Sequence, residues 1–218
     1  MRRTNQTWRS AGVFFLLFIV FTLLLRFVDV QAIGPQGSSV GFASINGFVH
    51  KLTGVHMNWY EITDKLGYLA LATAPVFAFV GILQLVQRKS LLKVDKSILV
   101  LGAFYVVVLV AYALFELLIV NYRPVLIDGI LEASYPSSHT MMSVCFMSAA
   151  ITECKLLLKN QTVCRILQIL CTVLMVVIVV GRLISGVHWF TDIVGGLLIS
   201  SALVLAYLSV LRSLRVKH

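Results

Sequence analysis

Six long apolar runs alternate with short polar segments along the chain. Each run is close to the roughly 20 residues that a helix needs to cross the hydrocarbon core of a bilayer. The pattern predicts an all-α, polytopic membrane protein in which six transmembrane helices form one bundle. We expect a single domain over residues 1–218, with spans near residues 11–28, 66–87, 97–120, 139–155, 164–181 and 189–211.

The longest polar interval, residues 29–65, separates the first two spans. It opens with turn-forming Gly, Pro and Ser residues and continues with apolar positions at helical spacing. The spacing predicts an amphipathic helix on the outer membrane surface. Such a helix either packs over the outer ends of the spans or controls access for a lipid substrate. The apolar positions are Phe42, Ile45, Phe48, Val49, Leu52 and Val55, followed by Trp59 and Tyr60.

The first apolar run has two interpretations. It follows Arg2, Arg3 and Arg9, so it has the basic start of a cleavable signal peptide. The segment Val30-Gln31-Ala32 makes a poor cleavage site, and we therefore favour a retained membrane anchor. Cleavage would leave the sidedness of the later spans unchanged.

Lysine and arginine are distributed unevenly among the connecting segments. Of the 18 Lys and Arg residues, 13 lie at the two chain ends and around segments 88–96 and 155–165. Because positively charged segments stay on the cytoplasmic side, both termini are predicted to be cytoplasmic in a plasma-membrane protein. The remaining connections then face outward.

Composition agrees with a membrane protein. The chain is 59% hydrophobic and 12% charged, with a mean hydropathy of +0.94, whereas a soluble domain carries about a quarter charged residues. The net charge of +9 lies in short clusters between apolar runs, so no nucleic-acid-binding face is expected. The four cysteines lie in or beside apolar runs without a Cys-x-x-Cys pair; we expect packing residues and no metal site.

A polar segment joins the last two spans and contains Arg182, His188 and Asp192. On a helix, a spacing of four places His188 and Asp192 on one face, where the carboxylate can orient and stabilise the imidazole. The other imidazole nitrogen is then available as a nucleophile or base. Arg182 adds a forked cation suited to phosphate, and charged groups at a membrane edge usually have a function.

Two further polar clusters lie on the same predicted outer face. They are Asn121-Tyr122-Arg123-Pro124 and Tyr135-Pro136-Ser137-Ser138-His139-Thr140. Arg123 supplies a second guanidinium. A serine before the fourth span can cap the helix, and the first-turn N–H groups suit phosphate oxygens. The three clusters together predict a site for phosphoryl transfer.

These clusters resemble the signature of the type-2 phosphatidic acid phosphatase superfamily, which also contains vanadium haloperoxidases. That signature reads Lys-x6-Arg-Pro, Pro-Ser-Gly-His and Ser-Arg-x5-His-x3-Asp. In this chain the same order and spacing appear as Glu116-x6-Arg123-Pro124, Pro136-Ser137-Ser138-His139 and Gly181-Arg182-x5-His188-x3-Asp192. The resemblance extends over about residues 65–210. The chain departs from it at Glu116 for Lys, Ser138 for Gly and Gly181 for Ser.

The resemblance implies an integral membrane lipid phosphate phosphatase that needs no metal or other cofactor. His188 would attack phosphorus to form a phosphohistidine, with Asp192 orienting its ring. His139 would protonate the leaving oxygen, and water would then release inorganic phosphate. The phosphate would be held by a set of polar side chains: Arg123, Arg182, Ser137 and Ser138.

A site at the outer interface suits a substrate whose tail lies in the bilayer and whose phosphate lies in water. The candidates are a polyprenyl diphosphate, phosphatidylglycerol phosphate and phosphatidic acid. The alternative is a catalytically weakened lipid-phosphate-binding or transport protein, which Glu116 favours. A haloperoxidase-like oxidoreductase is disfavoured, because six spans leave no large soluble helical body.

Glu116 is the largest departure from the family, since it reverses the charge of a lysine. It precedes Arg123 by seven residues, so its carboxylate is expected either to pair with one of the two arginines or to be protonated. Gly181 removes a hydroxyl and with it one expected phosphate contact. Asp128 and Glu132, in the predicted outer loop, are expected to be solvated.

Overall fold

The structure is a computed structural model that describes residues 2–216; Met1, Lys217 and His218 lie outside the described residues. Within this range the chain forms helices and no β-strand. Lys217, one of the basic residues used to predict the orientation, is thus outside the described part. The α-helices are α1 Arg2–Leu24, α2 Ala43–Thr53, α3 Met57–Leu71, α4 Thr73–Arg88, α5 Lys96–Leu117, α6 Ser138–Leu157, α7 Gln161–Ile184 and α8 Phe190–Val216, with 3₁₀ turns at Pro35–Gly37 and Leu91–Lys93.

Six helical segments in the described range are long and apolar enough to cross a membrane, which confirms the predicted fold class. Their burial differs in a way that locates the core. Only 11% of the Gln161–Ile184 span is buried, as expected for a helix whose apolar side chains face lipid, whereas 50% of Ser138–Leu157 is buried. The remaining spans are Thr4–Leu24, Met57–Arg88, Lys96–Leu117 and Phe190–Leu214.

The second span begins at Met57, earlier than the predicted start near residue 66. α3 and α4 form one nearly continuous stretch, joined at Ala72, whose backbone is also helical (φ −60°, ψ −16°). The prediction was wrong because residues 57–65 carry Asn, Glu, Asp and Lys, a composition typical of an interfacial segment. In the structure α3 instead packs against α6 and α7, and part of its polar face lies inside the protein.

The amphipathic helix predicted between the first two spans is present as α2. Phe48 and Leu52 are 66% and 75% exposed, whereas Asn46 is fully buried. The Asn46 amide donates to the Thr191 hydroxyl at 2.9 Å and accepts from the Thr191 N–H at 3.1 Å. α2 is thereby attached to the first turn of α8, and it covers the end of the bundle where α8 begins.

α1 and α8 pack side by side in antiparallel directions. Near one end, Arg212 of α8 donates to the Thr7 hydroxyl of α1. Near the other end, the Thr22 hydroxyl of α1 lies 2.7 Å from the Tyr135 hydroxyl. Gly195 of α8 leaves room for the Tyr135 ring, because an added Cβ would overlap it. This packing fixes Tyr135, and with it the segment that leads into α6.

Candidate active site

Polar residues from several elements converge at one end of the bundle. They come from α3, from the last turn of α5, from the segment 118–137, from the start of α6 and from the turn between α7 and α8. The Ser137 N–H donates to the Asp192 carbonyl at 3.0 Å, and the Ser134 N–H donates to the Asn121 carbonyl at 3.0 Å. The three sequence clusters are therefore neighbours in space.

His188 and Asp192 are both buried, and His188 Nδ1 lies 3.5 Å from Asp192 Oδ2. The geometry differs from the predicted one, since His188 precedes α8 instead of sharing a helix face with Asp192. Asp192 lies in the first turn, and its Oδ2 accepts from the Trp189 N–H at 2.9 Å. This capping bond holds the carboxylate next to the turn that carries His188.

The second nitrogen of His188 faces Arg123. Arg123 Nη1 lies 3.2 Å from His188 Nε2 and donates to it, and the same nitrogen lies 3.4 Å from the Val187 carbonyl. Burial lowers the pKa of His188 well below its usual value, and the charge of Arg123 lowers it further. Both effects favour the uncharged imidazole, the form that can act as a nucleophile.

Arg123 has a second partner that the sequence did not predict. Its Nε donates to Glu132 Oε2 at 2.9 Å. The prediction that Glu132 is solvated is confirmed only in part: its side chain is 40% exposed, but its carboxylate is paired with Arg123. The pairing was not predicted because Glu132 follows Arg123 by nine residues across a reversing segment, a contact that helical spacing does not reveal. Asp128 in the same segment is exposed, as predicted.

Arg182 and His139 share one carboxylate oxygen of Asp64, a residue of α3. Arg182 Nη2 donates to Asp64 Oδ1 at 3.0 Å, and His139 Nε2 lies 3.0 Å from the same oxygen. Arg182 is fully buried, with its guanidinium carbon 4.9 Å from the centre of the Tyr60 ring. Arg182 Nε and Nη1 have no hydrogen-bond partner among the described residues. Two buried donors are thus available to a bound anion.

The two serines of the second cluster differ in their contacts. Ser137 is the N-cap of α6, where its buried Oγ accepts from the Thr140 N–H at 3.4 Å. This agrees with the expectation that a serine caps the fourth span. Ser138 is half-buried and lines the cavities described below. Phosphate contacts by these residues remain a prediction.

Glu116 lies in the last turn of α5 and is exposed. Among the described residues it forms no ion pair with Arg123 or Arg182, each of which already contacts another carboxylate. The expectation that Glu116 pairs with an arginine was therefore wrong. Its side chain interacts with Tyr112, one helical turn earlier on α5.

Gly181 marks a close approach of α7 to α3. An added Cβ at this position would overlap the Thr63 methyl group. The family's serine at this position would therefore require Thr63 to move. The absence of a side chain at Gly181 therefore allows α3, which carries Asp64, to pack closely against the site.

Two neighbouring cavities reach the two histidines. A cavity of about 350 Å³ lies between α3, α5 and α6; it is lined largely by apolar side chains and contains Asp64 and His139. A smaller cavity of about 20 Å³ contains Glu116, Arg123 and His188. Tyr112 and Ser138 line both cavities.

Sequence reasoning missed the contribution of α3. Tyr60, Asp64 and Gly67 follow one another at intervals of four and three, which places them on one helix face. Gly67 lets that face approach α6, since an added Cβ would lie 2.7 Å from the His139 ring. The helical spacing of an aromatic residue, a carboxylate and a glycine was the available signal. Asn121 and Ser134, which lie beside the Asp192 carboxylate, were also not predicted as site residues.

No group of three or more His, Cys, Asp or Glu side chains within the described residues is arranged to hold a metal ion.

No curated protein matches the chain. Residues 117–215, which include all three clusters except Glu116, match the PAP2 superfamily.

The fold is also similar to that of a solved structure, the crystal structure of the first transmembrane PAP2 type phosphatidylglycerolphosphate phosphatase from Bacillus subtilis. The two chains share 20% sequence identity with a TM-score of 0.62, and the match covers 94% of this chain and 96% of the other. The match therefore covers nearly the whole six-span bundle. The part of the chain that carries the three clusters thus matches the PAP2 superfamily, the type-2 phosphatidic acid phosphatase superfamily, and the six-span fold is similar to that of a membrane-spanning PAP2-type phosphatase.

Proposed function

We propose that this protein is an integral membrane phosphatase that hydrolyses a phosphomonoester or diphosphate of a lipid through a phosphohistidine intermediate. The observation that carries the proposal is the state of His188. Its ring is buried, with one nitrogen facing Asp192 and the other facing Arg123, and its lowered pKa favours the uncharged form. An uncharged imidazole between a carboxylate and a phosphate-binding cation is suited to attack phosphorus.

The first half of the reaction forms the phosphoenzyme. Arg123 shifts from His188 Nε2 to a phosphate oxygen, and the freed lone pair forms a bond to phosphorus. The bond between phosphorus and the lipid oxygen breaks, and a proton from His139 makes that oxygen a hydroxyl. Asp192 accepts the Nδ1 proton of His188 in a hydrogen bond and stabilises the positive charge that develops on the ring.

The second half restores the enzyme. His139, now uncharged, takes a proton from a water molecule as the water oxygen attacks phosphorus. The bond between phosphorus and His188 Nε2 breaks, its electron pair returns to the ring, and inorganic phosphate leaves. These steps use the side chains of the chain itself, so the proposed mechanism needs no metal.

The phosphate oxygens have a defined set of donors. Arg182 Nε and Nη1 are buried and without a partner among the described residues, and Arg123 can turn toward the phosphate. Ser138 lines both cavities, where its hydroxyl or backbone N–H can reach an oxygen. Donors held in a site that largely excludes water stabilise the charge of the transition state more strongly than exposed donors.

The larger cavity suits the lipid part of the substrate. It is mainly apolar, and it lies between α3, α5 and α6, beside His139. The candidate substrates are a polyprenyl diphosphate, phosphatidylglycerol phosphate and phosphatidic acid. The similar solved structure is of a phosphatidylglycerolphosphate phosphatase, which supports including that lipid.

The site is proposed to face outward in the plasma membrane, with both termini cytoplasmic. Thirteen of the 18 Lys and Arg residues lie in the segments that would face the cytoplasm. Leu92, 92% exposed in the segment between α4 and α5, and exposed Asp128 provide positions for single labelling cysteines. Impermeant reagent applied to intact cells should label position 128 and spare position 92; the opposite result reverses the orientation.

A lipid-phosphate-binding or transport protein with a weakened site is the second candidate. It is favoured by Glu116, whose carboxylate lies in the cavity of Arg123 and His188 where the family has a lysine. The two functions are separated by measuring inorganic phosphate released from the three candidate lipids by protein purified in detergent. Release by the parent protein but not by His188→Ala supports a phosphatase. Binding of these lipids without release supports the second candidate.

A further inference from the structure

Asp64 is a charged residue of the site that lies outside the three sequence clusters. It belongs to α3, and its side chain is 31% exposed toward the larger cavity. One of its oxygens contacts both Arg182 and His139 at 3.0 Å. A carboxylate in a membrane span is costly, and this one contacts the histidine assigned above to leaving-group protonation.

The contact with Asp64 occupies one nitrogen of His139 and leaves the other without a hydrogen-bond partner among the described residues. Nε2 faces the Asp64 oxygen, whereas Nδ1 is buried without a hydrogen-bond partner among the described residues. Gly67 allows the ring to lie against α3, since a Cβ there would come within 2.7 Å of the ring. The orientation of His139 is thus set by α3.

The surrounding charges explain why His139 needs a carboxylate. Burial of the ring opposes a positive charge on it most strongly, and the charges of Arg182 from α7 and Arg123 from the segment before α6 oppose it further, whereas Asp64 favours it. Asp64 is the carboxylate that contacts the ring. The other polar groups that line the cavity beside the ring carry no charge in their ordinary forms; they are Tyr68 of α3, Tyr112 of α5, and Ser138 and Ser143 of α6. Without Asp64, two guanidiniums would favour an uncharged ring, which has no proton to spare for a leaving alkoxide.

We propose that Asp64 is a positioning residue that acts through His139 to keep it able to protonate the leaving group. This inference rests on the proposed function. In the first step Nδ1 gives its proton to the lipid oxygen as the bond to phosphorus breaks, while the Nε2 proton stays directed at Asp64. In the second step Nδ1 takes a proton from the attacking water.

The test compares two substrates with the same phosphate and different leaving groups. An alkyl phosphate such as phosphatidic acid needs a proton on its leaving oxygen, whereas 4-nitrophenyl phosphate does not. The ratio kcat/KM reports the steps up to leaving-group departure, so hydrolysis of the phosphoenzyme does not affect it. Asp64→Asn should lower kcat/KM about 10- to 100-fold for the alkyl substrate and less than about threefold for the aryl substrate.

A purely structural role gives a different result. If Asp64 only holds Arg182, Asp64→Asn should lower kcat/KM equally for both substrates, because both present the same phosphate. Equal loss, or no loss on either substrate, overturns the inference while the parent remains an active phosphatase. If the parent hydrolyses neither substrate, the proposed function itself fails. Asp128→Asn, the same change at an exposed carboxylate, is the matched control and should leave both values unchanged.

The pH profile and a second variant complete the test. Removing the carboxylate disfavours the protonated ring. In Asp64→Asn the alkaline limb of the kcat/KM profile for the alkyl substrate should therefore move to lower pH.

Gly67→Ala introduces a methyl group that pushes on the His139 ring without removing Asp64, and it should reproduce the selective loss on the alkyl substrate. This variant keeps the inference testable if Asp64→Asn does not fold. An equal effect of Gly67→Ala on both substrates, with an unmoved alkaline limb, contradicts it.

Discussion

The site contains two histidine–aspartate pairs that are built differently. His188 and Asp192 come from one short segment, are 1% and 0% exposed in their side chains, and lie 3.5 Å apart. His139 and Asp64 come from two helices, are 27% and 31% exposed, and lie 3.0 Å apart. The buried pair suits a nucleophile that must stay uncharged. The pair beside the cavity suits a group that exchanges protons with substrate and water.

The two arginines are also placed differently. Arg123 contacts the histidine of the buried pair, and so it opposes a charge on the nucleophile. Arg182 contacts the aspartate of the cavity pair, and so it shares a carboxylate with the acid. Similar residue types thus place one imidazole against a guanidinium and the other against a carboxylate. The difference predicts that the two aspartates have distinguishable kinetic effects.

The largest expected effect among the aspartates is that of Asp192→Asn. This change should lower kcat/KM by about 10²- to 10⁴-fold, because the nucleophile loses both orientation and stabilisation of its developing charge. Alkyl and aryl phosphates should be affected alike, since both require attack by His188. The measurement is steady-state hydrolysis of both substrates beside the parent and Asp64→Asn. A loss confined to the alkyl substrate would show that Asp192 acts on protonation of the leaving group. The roles assigned to Asp192 and Asp64 would then be reversed.

The pH dependence of kcat/KM provides a smaller effect that distinguishes the His188–Asp192 pair from the His139–Asp64 pair. The lowered pKa of His188 should place the acid limb of kcat/KM for 4-nitrophenyl phosphate below the usual histidine range. Arg123→Gln removes one cause of the lowering, so the limb should move to higher pH while the maximum rate falls. The ionisation of the substrate is the same in both proteins and cancels in the comparison. An unmoved limb, or a shift to lower pH, contradicts the contact between Arg123 and His188.

Glu116 should give the smallest effect, because it contacts neither pair directly. Glu116→Lys restores a cation to the cavity of Arg123 and His188, and it should keep or raise activity through a KM lowered about three- to tenfold. Glu116→Gln should change kcat/KM less than about threefold, since no ion pair is lost. Steady-state kinetics of both variants beside the parent test this. A folded but inactive Glu116→Lys would show that the carboxylate has a function of its own.

The sequence predicted most of the fold because the fold follows from local pattern. Six apolar runs of spanning length and one amphipathic segment were enough to locate the spans and α2. The start of the second span was wrong because a polar helix face turned toward protein has the same composition as one turned toward water. Deciding between them requires knowing what packs against α3, which residues 57–65 do not reveal.

The candidate site could be predicted only where its contacts are local. His188 and Asp192 are close because four residues separate them, although through a turn and helix cap instead of a shared helix face. The contact of His139 with Asp64 joins residues 75 positions apart on different helices, and no spacing rule reaches it. The pairing of Arg123 with Glu132 depends on the reversal of segment 118–137. Helix packing and chain reversal thus supplied the missed partners.

The most direct test of the account is to trap the phosphoenzyme. Purified protein is mixed with a ³²P-labelled lipid phosphate, quenched in alkali within one turnover, and digested to locate the label. The account predicts label on the peptide containing His188 that is stable in base and lost in acid. His188→Ala should carry no label and release no phosphate. A thermal-stability measurement in detergent verifies that this variant is folded. Turnover by the parent without a labelled intermediate, or phosphate release by His188→Ala, would contradict the central claim.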